Sequence, residues 1–88
     1  MKPYQDNIIS EVTKIRIFDE NIDPIELMWH RDLKTRQITI LEGIGWSYQQ
    51  EDSLPKQLNP GDQIVIPALE WHRVIKGTTN LKLKIEEY

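Results

Sequence analysis

Along much of this chain apolar and polar residues alternate one by one. Ile15 and Ile17 alternate with Lys14 and Arg16, Ile64 and Ile66 with Gln63 and Val65, and Leu81, Leu83 and Ile85 with Lys82, Lys84 and Glu86. A strand sends successive side chains to opposite faces, so a period of two marks strands with one face inward and one toward water. Between these runs lie turn-forming clusters: Asn21-Ile22-Asp23-Pro24, Gly43-Ile44-Gly45, Asn59-Pro60-Gly61-Asp62 and Gly77-Thr78-Thr79-Asn80. Each combines residues that tolerate or fix tight backbone bends. The pattern predicts strands over 11–18, 25–32, 36–42, 45–50, 54–58, 62–67, 70–76 and 80–87. Eight short strands about ten residues apart point to an antiparallel sandwich or barrel. Tyr4 to Glu11 is the one stretch with a helical alternative, and it is too short to stand alone in water.

Composition supports the strands and narrows the class. Isoleucine, valine and threonine number 13, 3 and 5, and β-branched side chains fit a pleated, half-buried surface. The chain has 88 residues, 39% hydrophobic and 28% charged, the make-up of one small globular domain. A net charge of −3 offers no footprint for a phosphate backbone, so nucleic acid is not an expected partner. The longest apolar run, Ile64 to Leu69, is interrupted by Pro67 and far below the roughly 20 residues of a membrane span. The segment from Met1 to Asn7 lacks the apolar middle of a secretion signal. There is no cysteine, hence no disulfide and no thiolate ligand. A cytoplasmic protein is expected, and a homodimer would add buried area to a thin core.

Three stretches carry possible chemistry. His30-Arg31-Asp32-Leu33-Lys34 spells the start of a kinase catalytic loop, but Gln37 stands where that loop needs a metal-binding asparagine. Two kinase lobes also do not fit in 88 residues. Next, His30 and Asp32 project from one face of a strand, and His72 sits in a later one. Two histidines and a carboxylate are the donor set of the facial triad that binds a transition metal and leaves positions open.

The third stretch is the most specific. Residues 58–74, Leu-Asn-Pro-Gly-Asp-Gln-Ile-Val-Ile-Pro-Ala-Leu-Glu-Trp-His-Arg-Val, resemble the second conserved motif of the cupin family. Upstream, His30-Arg31-Asp32, then Arg36 and Gly43 match the spacing of the first motif. The resemblance covers most of the chain and implies a small all-β antiparallel barrel, a jelly roll of the cupin type. It would form a single domain over 1–88, with an N-terminal arm at 1–10 and the barrel at 11–87.

Cupin metal sites use three histidines and one glutamate. Carried over residue by residue, His30 and His72 match the first and third histidines. Asp32 stands in place of the second histidine and Arg36 in place of the glutamate. An aspartate can ligate; an arginine only donates and stays charged. Two readings follow. In one, His30, Asp32 and His72 hold a divalent iron, manganese, nickel or zinc ion, as in a dioxygenase or sugar isomerase. In the other, Arg36 pairs with Asp32 and the site is metal-free.

The expected function is the binding of a small polar or anionic molecule at a mouth formed by His30, Asp32, Arg36 and His72, with Tyr48 lining the cavity. A structural module with a vestigial cavity is a third reading. If both histidines face inward, Trp29 and Trp71 face outward and need a cover, either a second subunit or the N-terminal segment.

Overall fold

A computed structural model describes residues 2–88; Met1, the first residue of the expected arm, lies outside them. Eight strands are present: β1 (Tyr4–Ile8), β2 (Thr13–Phe18), β3 (Arg36–Glu42), β4 (Ser47–Gln50), β5 (Lys56–Gln57), β6 (Gln63–Ile66), β7 (His72–Ile75) and β8 (Leu81–Glu87). They form two antiparallel sheets, one in the order β1-β2-β8-β3-β6 and one in the order β5-β4-β7. The fold is all-β and antiparallel, as the alternation predicts, in the jelly-roll form that the resemblance implies.

The alternation also locates the core. Leu81, Leu83 and Ile85 of β8 are buried, and so are Ile38 and Ile40 beside them on β3. Trp46 is fully buried at the start of β4. Its indole nitrogen donates to the Thr79 carbonyl at 2.7 Å, which satisfies the one polar atom that its burial takes from water. Phe18 packs against it with ring centroids 5.7 Å apart.

Two expectations are corrected. Residues 4–8, read as an arm with a helical alternative, form an edge strand paired along its whole length with β2. Residues 25–32, read as a strand, contain a 3-10 turn over Pro24–Glu26 followed by irregular chain. The cause is local: Pro24 fixes its own φ, and the Asp23 side chain accepts from the Ile25 amide at 3.1 Å and caps the turn. Ile25, Met28 and Leu33 are therefore exposed rather than alternately buried.

The phase of β2 is a further difference. Arg16 and Phe18 point inward, and Ile15 and Ile17 are only partly buried. Arg16 lies opposite Asp6 of β1 and binds its carboxylate through two hydrogen bonds, of 2.8 and 3.0 Å. Its guanidinium also lies 3.5 Å from the centre of the Tyr4 ring. A charge so paired can be buried where a lone one cannot.

Gly77 is required for a different reason from the turn glycines. A Cβ there would stand far inside van der Waals contact of the Ile44 carbonyl and of the Trp46 amide and ring. Backbone atoms cannot step aside as a side chain can. Gly77→Ala should therefore lower stability by at least about 1–3 kcal/mol, the usual range for overpacking. Gly61→Ala, with open space around it but φ at +92°, should cost only about 1 kcal/mol. Urea unfolding midpoints of the two variants check the order.

Candidate functional site

The site is assembled by one backbone contact between distant parts of the chain. The His30 amide donates to the His72 carbonyl at 3.0 Å, and the His72 amide returns the bond at 2.9 Å. Residues opposite each other in such an antiparallel pair present side chains to the same face. The two imidazoles accordingly meet, centroids 4.3 Å apart. A second link, from the Leu69 amide to the Asp32 carbonyl at 2.7 Å, brings the loop before β7 against the loop before β3.

Asp32 completes the group. One carboxylate oxygen, Oδ2, lies 3.3 Å from His72 Nε2 and 3.2 Å from Arg36 Nη1. It is buried, yet no hydrogen-bond partner meets it. Arg36 in turn reaches Glu87 Oε2 through Nε at 3.4 Å, and Glu87 Oε1 accepts Lys14 at 3.0 Å. Opposite charges thus run from Lys14 through Glu87 and Arg36 to Asp32, and His72 Nε2 faces the last of them.

These contacts set the protonation of the site. Burial alone would raise the Asp32 carboxyl, but His72, Arg36 and His30 together hold it below its ordinary value. The Lys14 contact holds Glu87 low against a smaller burial effect, with Arg36 adding to it. Burial of its inner side lowers His30 against the opposing pull of the Met28 carbonyl.

Both histidines are fixed in one tautomer. His72 Nδ1 lies 2.8 Å from the Glu70 carbonyl, and His30 Nδ1 lies 3.1 Å from the Met28 carbonyl. A carbonyl only accepts, so each Nδ1 carries the proton, and in the neutral ring the lone pair is on Nε2. His30, Asp32 and His72 each offer a ligand atom within 4.8 Å of the others.

The group stands at one side of a cavity of about 320 Å³ lined also by Phe18, Leu27, Ile38, Val74 and Leu83. Four residues expected from the sequence, His30, Asp32, Arg36 and His72, line it together. Tyr48 is not among its lining residues; it packs near His72 with centroids 6.0 Å apart. Burial, with Glu70 and Asp32 nearby, pushes its hydroxyl up to about 12, so it stays neutral. Sequence reading missed Glu87 and Lys14, which hold Arg36, and it missed Pro3, Tyr4 and Arg16, which line the cavity. The position of Arg16 had one sequence signal, an arginine at alternate spacing with Phe18.

Outside the barrel, Arg31 lies over the Trp71 ring at 5.2 Å and Arg73 over the Trp29 ring at 4.9 Å. The tryptophans flank a second depression, of about 580 Å³, with Leu54 and Glu51.

Solved structures share this architecture. A cupin domain from Bordetella pertussis aligns with a TM-score of 0.65 at 18% identity, covering 100% of this chain and 97% of that one. KdgF from Halomonas sp. aligns at 0.69 and 18%, covering 99% of this chain and 82% of that one. The chain has the cupin fold. HppE in its cobalt(II) form aligns at 0.74 and 18%; this cupin domain is covered completely and spans 55% of HppE. No protein-family model and no curated protein matches the sequence. No helix among the described residues is long and apolar enough to cross a membrane.

The donor chemistry of this site fits a divalent transition metal. Two imidazole nitrogens with their lone pairs free and one buried, unpartnered carboxylate oxygen converge. Hydrogen bonds from the far nitrogens of both rings are the outer support that metal-binding histidines use.

Asp32 also supplies a pH signature. Its carboxyl is held below the ordinary value of 3.8, so its stabilising effect is complete above that value. The effect is lost as pH falls through the lower, folded-state value. Asp32→Asn should be less stable than the parent at pH 7, and the gap should close as pH falls well below 3.8. Thermal unfolding across that range checks it.

Proposed function

We propose that this chain is a small metal-binding cupin in which His30 Nε2, Asp32 and His72 Nε2 hold one divalent transition metal ion and present it to a small molecule in the barrel cavity. The observation that carries the reading is the unpartnered Asp32 oxygen facing a histidine nitrogen whose proton is on the other side of the ring. With the proton on Nδ1, a neutral His72 would turn its Nε2 lone pair toward the ionised Asp32 oxygen, and a cation between them would relieve that opposition. Iron, manganese, nickel and zinc all accept nitrogen–oxygen ligation. An ion held by these three residues would supply Lewis-acid polarisation to a small molecule in the cavity.

The chain's own residues do the rest. The Met28 and Glu70 carbonyls hold the imidazoles in register. Arg36 lies beside the Asp32 carboxylate and orients it, and Glu87 with Lys14 keeps Arg36 in place. HppE, a fold neighbour, is a cobalt(II) form in its solved structure, which supports reading this fold as one that takes a metal.

A second reading has its own observation, the 3.2 Å contact between Arg36 and Asp32. In it the guanidinium supplies the positive charge, His72 carries a second proton, and an anion binds without metal.

Loading the untagged, EDTA-stripped protein with Fe(II), Mn(II), Ni(II) and Zn(II) in turn separates the two. About one ion per chain by elemental analysis is expected with at least one of them. Asp32→Ala and His30→Ala should each weaken binding by more than the roughly 10–100-fold typical of an outer-shell partner. Failure of all four metals to bind overturns the metal reading in favour of the metal-free one.

A further inference from the structure

We infer that the ligand of this cavity is a compact monocarboxylate with an apolar body, rather than a sugar or a sugar phosphate. The inference rests on the cavity and Arg36; it names the ligand class of the proposed site and does not depend on a metal being bound.

Size comes first. A cavity of about 320 Å³ has the volume of roughly ten waters at about 30 Å³ each, which suits a molecule of about ten non-hydrogen atoms. The distribution of polar groups comes next. Phe18, Leu27, Ile38, Val74, Leu83 and Ile85 make the apolar lining, and the triad, Arg36, Arg16 and Glu26 make the polar part. A polyhydroxylated ring needs hydrogen-bonding partners around its whole edge, and each hydroxyl left facing this wall costs about 1–3 kcal/mol. A short branched or aromatic body loses nothing there and gains from burial.

Charge fixes the head group. Two arginines line the cavity, but they are not equivalent. Arg16 is saturated by two hydrogen bonds to Asp6 and is stacked on Tyr4. Arg36 makes a single long hydrogen bond, 3.4 Å to Glu87, and only an ion-pair contact with Asp32. Arg36 therefore has donors to give, and guanidinium geometry matches a carboxylate. The carboxylates of Glu26 and Asp32 also line the cavity, which opposes a second negative charge and so disfavours a phosphate dianion.

Calorimetric titration of the full chain, with and without Zn(II), with phenylacetate, isovalerate, their neutral alcohol counterparts 2-phenylethanol and 3-methylbutanol, and glucose 6-phosphate tests this. Each carboxylate should bind at least about tenfold more tightly than its alcohol, and more tightly than the sugar phosphate. Val74→Phe, which fills the apolar end, should weaken phenylacetate about tenfold or more and leave zinc content unchanged. Val74→Ile serves as the milder variant if the first does not fold, and should weaken phenylacetate in the same direction. Arg36→Met should abolish the preference for acid over alcohol.

Equal binding of acid and alcohol, tighter binding of glucose 6-phosphate, or no binding of either carboxylate overturns the inference. Zinc bound without any carboxylate bound defeats this inference alone. Carboxylate bound by a protein that takes up none of the four metals defeats the metal reading alone.

Discussion

The ion chain from Lys14 through Glu87, Arg36 and Asp32 to His72 is the constraint on which the rest of the site depends. Its members come from β2, β8, β3, the loop before β3 and β7, so it ties the large sheet to the small one on the inside of the barrel. Opposite charges meet at each step from Lys14 to Asp32, which lets these partly buried groups sit beside a thin core. Removing an inner member leaves its neighbour buried without compensation, and that penalty exceeds what the pair contributes when intact. The chain also explains why an arginine is compatible with a metal-binding triad: Asp32 lies between Arg36 and the imidazoles, and Glu87 draws the guanidinium from the other side.

Apolar walls and polar end divide the labour. The strand alternation that builds the core also builds the cavity, because Ile38, Leu83 and Ile85 belong to both. Chemistry is confined to the point where the loop over residues 27–35 leaves the sheet pattern. Pro24 and the Asp23 cap end regular pairing there, and the backbone of the loop pairs with β7 at His30. The loss of a full strand frees Leu27 and Met28 to form part of the cavity wall.

The parts of this arrangement that are local in sequence could be read from it. Residues 58–74 carry turn and strand signals within a few positions of each other, so β6, β7 and the inward direction of His72 followed directly. The His30–Asp32 spacing told of a shared direction whether or not a regular strand formed. What could not be read were the long-range partners. Arg16 turns inward because Asp6 is opposite it, and the segment holding Asp6 has no alternation of its own. Glu87 carries no local signal, because its place depends on Lys14 and Arg36, both distant in sequence. The strand expected over 25–32 failed because a proline and its cap outweighed the alternation around it.

The reciprocal stacking of Arg31 on Trp71 and Arg73 on Trp29 has a consequence for accuracy. Inside and outside are written on the same backbone: each histidine of the site stands between a tryptophan and an arginine of the outer face. A slip of one residue would turn the tryptophans into the cavity and the histidines into water. Only two hydrogen bonds hold that pairing, a weak fastening for so exact a demand. The crossed cation–ring contacts, about 0.5–1 kcal/mol each at an exposed position, favour one alignment over its neighbours. The outer surface thus proofreads the inner one.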